Sequence, residues 1–399
     1  MMKLLMKYIN NMKTFLIPIL CIFFLSAIGQ ESKDDFFHED WEGALTKAKE
    51  DNKILLVDYY TDWCGWCKVM DKNTFNDSIV RDFLDDNFVV LKINAEKDLG
   101  IDLAMKYRVM VFPSILFYNP QGYLIKKSLG YQDAEKFMKT LKDIVKINDQ
   151  GLYYKGINQD IKLDFPEFYA KAFGKYGKRE FPDSKIVMDY LNGQENLFNE
   201  VNFSVIYRFK TDSIINNYFL ENYDKYKSLY GVEDVEYKFN SIINPIFSDV
   251  CQTNDTVKLF ELLDMIEKYS SGDKELARWY AYNNYLKATS NWTKLSESVL
   301  ERLKENEVES SILNDYAWRI YENSDDSKSI ENAISWMKEV VEKEPVYMYL
   351  DTYAALLYKN KIYNEAEAWA IKAIEAGKKE KTNISETEKL LKKIREEQQ

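Results

Sequence analysis

The chain has 399 residues, of which 46% are hydrophobic and 15% aromatic. That is enough apolar material for two or three cores at a prior of ~150 residues per domain, and too much for a disordered protein. Its 54 Lys and Arg face 65 Asp and Glu, a net charge of −11 without a basic block, which excludes nucleic-acid binding through phosphate neutralisation. His38 is the single histidine, so a histidine-rich metal site is excluded as well. Gly (14) and Pro (7) are scarce, which argues against a turn-rich all-β protein.

Residues 1–29 read as a secretory signal peptide. Lys3, Lys7 and Lys13 precede an apolar stretch over 15–28, and Ala27 and Gly29 place small residues before a cut at Gln30. Met12 opens a more compact signal than Met1, so either methionine serves as the start. An uncleaved membrane anchor is the alternative reading, although the apolar run is short for a bilayer span. The expected location is exported, in the periplasm or cell envelope of a bacterium. Cys21 leaves with the signal and is a weak lipid acceptor, because Leu20 stands where a small residue is needed.

The mature chain then keeps one close pair, Cys64 and Cys67, and a singleton, Cys251, which is no disulfide framework. A lone Cys-x-x-Cys has three readings. Zinc needs four ligands, and the second pair is missing. Haem attachment needs His after the second Cys, where Lys68 stands. Redox chemistry remains. The pair follows Ile54-Leu55-Leu56-Val57-Asp58-Tyr59-Tyr60, an apolar run rich in strand formers. A strand, a turn and then a helix would put Cys64 at a helix N-terminus, where the dipole and unpaired N–H groups favour a thiolate. Further strands are expected over 88–94, 114–118 and 123–129, with helices over 98–107 and 133–146. His38 is expected to face solvent, and Cys251 to be a buried structural thiol.

These elements, over about 36–148, resemble a thioredoxin domain. Trp63-Cys64-Gly65-Trp66-Cys67-Lys68 is similar to the family's WCGPCK, with Trp66 in place of proline, and the WCGWCK form is more like a secreted bacterial branch. Asp58 matches the family's buried aspartate and Lys92 the lysine near it. Tyr107 to Ser114 matches the segment ending in the family's cis-proline, here Pro113. The resemblance implies an α/β thioredoxin fold, a mixed sheet flanked by helices, with no cofactor and no metal. It implies Cys64 as nucleophile, Cys67 as resolving thiol, Asp58 as the acceptor of the Cys67 proton and Lys92 as its charge partner. Trp63, Gly65, Trp66, Phe112 and Pro113 would form the substrate-facing rim. The Gly-Trp pair between the cysteines matches neither the Gly-Pro of reductants nor the Pro-His of oxidants. Gly65, Asp58 and Lys92 lean towards the reducing pattern.

Residues 149–399 read as an all-α helical-repeat domain, after a linker over 147–151. Trp292, Leu295, Val299 and Leu303 form one stripe; Ile330, Ala333, Ile334, Met337 and Val341 form another. Pro166, Pro182, Pro245 and Pro345 are expected between helices, and Ser385 with Glu388 as a capping box on the last one. Tyr316-Ala317-Trp318 returns as Tyr353-Ala354-Ala355, and Ala333 and Val340 return as Ala366 and Ala373. Over about 312–377 this resembles tetratricopeptide helix pairs, whose period is ~34.

Two functions follow. The first is an exported thiol–disulfide oxidoreductase acting on protein thiols and disulfides, fed by an electron donor at the membrane, whose helical arm holds a protein partner or a second copy. The second is a non-catalytic folding helper or scaffold that binds peptides.

Overall fold

The computed structural model describes residues 36–399. The expected signal segment and Cys21 lie outside them. The chain divides into two compact units. One comprises the described residues up to Tyr154 together with Asn158–Phe181, and the other Lys155–Ile157 together with Pro182–Gln399.

The first unit is built on a five-stranded mixed sheet in the order β1-β3-β2-β4-β5. The strands are β1 (Phe37–His38), β2 (Ile54–Tyr60), β3 (Phe88–Asn94), β4 (Ser114–Tyr118) and β5 (Leu124–Leu129). β3 runs parallel to β1 and β2, whereas β4 is antiparallel to β2 and β5. β2 is central and covered on both faces, which is why its sequence is almost continuously apolar instead of alternating. Its register sets Asp58 opposite Lys92 of β3. The helices of this unit are α1 (Trp41–Asp51), α2 (Gly65–Met70), α3 (Ser78–Asn87), α4 (Asp98–Lys106), α5 (Ala134–Asp149) and α6 (Glu167–Phe173). Carboxylates start three of them: Asp40, Asp77 and Asp133 each accept from backbone N–H groups of the first turn. On one sheet face Leu56, Val90 and Phe117 bury against Val80, Leu84, Phe137 and Leu141 of α3 and α5, each worth roughly 1.5–3 kcal/mol on burial. On the other, Trp41 of α1 stands edge-on to Tyr118 at 5.3 Å between ring centroids.

The four expected strands appear where the sequence places them, β5 starting one residue later, and the short edge strand β1 joins them unexpected. The end of the first unit differs. α5 runs through Ile147 to Asp149, across the expected linker. Residues 158–181, read from sequence as part of the helical region, belong to the first unit. The Lys106 ammonium donates to Asn158 Oδ1 at 3.0 Å, and the Tyr169 hydroxyl of α6 donates to the Met105 carbonyl at 2.9 Å.

Among its described residues the second unit is built of helices: α7 (Ser184–Asn192), α8 (Glu200–Arg208), α9 (Ser213–Glu221), α10 (Tyr223–Tyr230), α11 (Val232–Thr253), α12 (Thr256–Tyr269), α13 (Lys274–Ala288), α14 (Trp292–Leu303), α15 (Ser310–Asn323), α16 (Ser327–Lys343), α17 (Tyr347–Lys359), α18 (Tyr363–Glu380) and α19 (Ser385–Glu397). Both expected stripes face one core, and the recurring Tyr316 and Tyr353, Ala317 and Ala354, and Ala333 and Ala366 are all buried in it. Two details depart from expectation. Pro245 lies inside α11, not between helices. The carbonyl left without a helical donor belongs to Ser241, and both Ser241 and Pro245 are exposed. Ser385 is the first residue of α19 and makes no side-chain cap; its own N–H donates instead to Asn383 Oδ1 at 3.0 Å. Cys251 is a free thiol, half-buried instead of buried, with burial raising its pKa.

Candidate active site

The cysteine pair sits where β2 turns into α2. After Tyr60 the chain makes a turn closed by the Cys64 N–H donating to the Thr61 carbonyl at 3.1 Å. Cys64 is then the N-cap of α2, and its Sγ accepts from the Cys67 N–H at 3.0 Å. The two cysteines form a disulfide, S–S 2.05 Å. Once reduced, the same N–H and the helix N-terminus would face the Cys64 sulfur, and both favour its thiolate form. A Cβ added at Gly65 would meet nothing within 4 Å, so the space beside Cys64 is open.

Asp58 is 2% exposed, and its Oδ1 has no hydrogen-bond partner. Oδ2 lies 3.5 Å from Lys92 Nζ, as the sequence leads one to expect. The same ammonium also pairs with Asp71, the more exposed of the two acids. Burial pushes the Asp58 carboxyl up from 3.8 to about 6; Lys92 opposes the rise, and the negative charge of Asp71 adds to it. Asp71 opens a five-residue π-helical segment, Asp71–Phe75, between α2 and α3. Such insertions are frequent at functional sites.

The rim is aromatic and open. Trp63 is 67% and Trp66 62% exposed. The Trp63 ring stands edge-on to Phe112 with centroids 5.9 Å apart, and the Trp66 ring packs on Tyr131 at 5.2 Å. The Phe112–Pro113 bond is cis. The Pro113 carbonyl accepts from the Gly130 N–H, whereas among the described residues the N–H and C=O of Phe112 pair with no other backbone group. The Trp63 indole N–H donates to Glu96 Oε2 at 2.8 Å. His38 lies exposed on the edge strand β1. Among the described residues no three His, Cys, Asp or Glu side chains gather as a metal site.

All nine residues singled out in the sequence therefore lie along β2, α2, β3 and the segment entering β4. Three further residues join them without having been read from the sequence: Asp71, Glu96 and Tyr131. Asp71 had a signal, since it stands seven residues beyond Cys64, two helical turns along. Glu96 and Tyr131 lie in connections, where no periodicity marks them.

Residues 41–144 match the model of a family described as a thioredoxin-like domain. Thiol:disulfide interchange protein DsbD of Haemophilus influenzae is 36% identical over 101 residues, 24% of this chain and 17% of that protein. The protein of the same name from Salmonella typhimurium is 38% identical over 104 residues, 25% of this chain and 18% of its own. The chain thus spans less than a fifth of the length of these relatives. The solution structure of a thioredoxin from Thermus thermophilus aligns at 24% identity over 30% of this chain and 94% of its own, with a TM-score of 0.28. The first unit holds a thioredoxin-like domain, and relatives that match it are named thiol:disulfide interchange proteins.

Proposed function

We propose that the chain is an exported thiol–disulfide oxidoreductase whose Cys64–Cys67 couple reduces or exchanges disulfides in protein substrates. The observation that carries this reading is the disulfide-bonded pair whose first sulfur caps a helix N-terminus, just after a strand that carries a buried acid paired to Lys92.

In the reducing direction the Cys64 thiolate attacks one sulfur of a substrate disulfide. A mixed disulfide forms, and the other substrate sulfur leaves as a thiolate. Cys67 loses its proton to Asp58 and attacks Cys64 Sγ, which closes Cys64–Cys67 and releases the second substrate thiolate. Two electrons pass from the dithiol to the substrate. An acid held near pH 6 suits the proton step, because it is ionised and ready to accept at neutral pH and is nearer to a thiol in basicity than an ordinary aspartate. Lys92 steadies the carboxylate. Trp63, Trp66 and Phe112 supply apolar contact, and the unpaired backbone of Phe112 offers a short strand edge to a substrate segment. A membrane dithiol donor would return electrons to Cys64–Cys67. Residues 1–29 support export, and the helix pairs α15–α16 and α17–α18, similar to tetratricopeptide units, suit an arm that holds a protein partner.

The test is reduction of insulin by the purified chain with dithiothreitol as electron donor. Acceleration that disappears in Cys64→Ser supports the enzyme. Binding of unfolded peptides without acceleration would support the folding-helper reading instead.

A further inference from the structure

Trp63, next to the nucleophile, is held from a part of the chain beyond the segment 41–144 that matches the thioredoxin-like family. Its indole N–H uses one oxygen of Glu96. The other, Oε1, receives an ion pair from Arg179 Nη2 at 2.8 Å. The result is a relay of contacts, Arg179 to Glu96 to Trp63 to Phe112, ending at the residue before Pro113.

Arg179 reaches this place on a closed loop. α6 ends at Gly174, with φ 81°, and the chain reverses through Gly177, with φ 121°. The Glu180 N–H then donates back to the Lys171 carbonyl at 3.1 Å, so residues 171–180 close on themselves. An ion pair from Lys175 to Asp102 of α4 ties the start of the loop down. A Cβ at Gly174 would come within 3.0 Å of the Gly177 carbonyl oxygen and 3.2 Å of Arg179 Cγ, so the arginine stem crosses the turn at its tightest point. Exposed ion pairs contribute little when two long side chains must be ordered to make them. Here the loop has already ordered much of the arginine, and Glu96 is fixed from its other side by the indole.

We propose, on the basis of the oxidoreductase reading above, that Arg179 is a positioning residue for the redox rim. Through Glu96 it fixes the Trp63 ring beside Cys64, and so sets how well a protein disulfide is received. It takes no part in the thiol chemistry. The loop 174–181 is thereby a working part of the site, although it follows the redox fold in sequence.

The experiment compares the full chain with Arg179→Ala and Arg179→Lys in three measurements. Insulin reduction at low salt should show KM raised about two- to fivefold in Arg179→Ala, the range of an exposed ion pair, with kcat unchanged and Arg179→Lys close to the parent. The KM difference should close at 1 M salt, where screening acts over ~3 Å. Alkylation of reduced Cys64 by iodoacetamide should keep the same rate in all three proteins. In 15N-tryptophan-labelled protein the Trp63 indole resonance, assigned by its loss in Trp63→Phe, should shift in Arg179→Ala and return in Arg179→Lys. An unmoved indole resonance with an unchanged KM overturns the proposal. A change in the alkylation rate as large as the change in KM overturns it too, since Arg179 would then act on the thiol or the fold. If the parent chain does not reduce insulin at all, the oxidoreductase reading fails instead, and the indole resonance, which needs no turnover, still decides whether Arg179 positions Trp63.

Discussion

Asp58→Asn is the substitution for which structure and function pull in opposite directions. The Asp58 carboxyl is buried, one of its oxygens has no partner, and its pKa stands at about 6 against 3.8 for an ordinary aspartate. Folding therefore penalises its charged form, by ~3 kcal/mol when that rise is converted at 1.36 kcal/mol per tenfold change in acidity. The sign follows from proton counts. Between about pH 4 and pH 6 the folded chain binds the proton more tightly than the unfolded chain. The penalty is thus absent below about 4, grows as pH rises and is complete above about 6. An amide of the same shape carries no charge to desolvate, and Lys92 keeps Asp71 as its partner. Asp58→Asn should stabilise the oxidised first unit at pH 7.5 by up to ~3 kcal/mol, with the gain shrinking through pH 6 and gone near pH 4. Amide hydrogen exchange in peptides from β2 and β4 reads this unit without requiring the whole chain to unfold in one step. A gain that did not vary with pH, or no gain at 7.5, would refute the claim that desolvation of Asp58 dominates. The same variant should release a mixed disulfide more slowly while forming it at the parent rate, because in the proposed mechanism the acid takes the Cys67 proton. Rapid-mixing measurements of the two steps check this, and equal slowing of both would remove Asp58 from the proton path.

Cys64→Ser should abolish exchange with every disulfide substrate, whereas Cys67→Ser should accumulate mixed disulfides with partner proteins on non-reducing gels, since only resolution is blocked. Asp71→Asn removes a charge that raises the Asp58 pKa, so the pH midpoint of the Asp58 titration should fall below 6; carboxyl NMR of the 13C-labelled chain would show it, and an unchanged midpoint would mean Asp71 is screened by solvent. A chain ending after Phe181 should resist proteolysis better than one ending at Asn148, because the shorter chain loses the Tyr169 bond to Met105 and the Asn158 partner of Lys106; equal resistance would show that 158–181 adds nothing to the first unit.

What could be read from the sequence was what neighbouring residues decide among themselves. The run from Ile54 to Tyr60 is so apolar that only a strand covered on both faces fits it, and Cys64 and Cys67 differ by one helical turn, so their meeting needs no long-range information. The pairing of Asp58 with Lys92 was legible only by resemblance, since it depends on the parallel register of β2 and β3. Pro245 misled because its local cost in a helix, ~3 kcal/mol, is outweighed by the burial of Val235, Phe239, Ile242, Ile243 and Val250 on the same helix, and that burial is a tertiary property.

Arg179 shows where local reading stops for a physical reason. Its charge is exposed and its neighbours in sequence are polar and glycine-rich, so by composition it is an ordinary loop residue. Its meaning comes from Glu96, eighty-three positions earlier, and Glu96 in turn lies in a connection just beyond β3. Neither residue belongs to a periodic pattern, and the pair is joined by a loop whose closure depends on two glycines with positive φ. A contact of this kind contributes little to the stability of the fold, so folding alone does not require it. Any requirement it answers has to come from what it reaches through Glu96, the Trp63 indole next to Cys64. That is why the KM for a protein disulfide, and not the melting temperature, is the quantity on which a role for Arg179 rests.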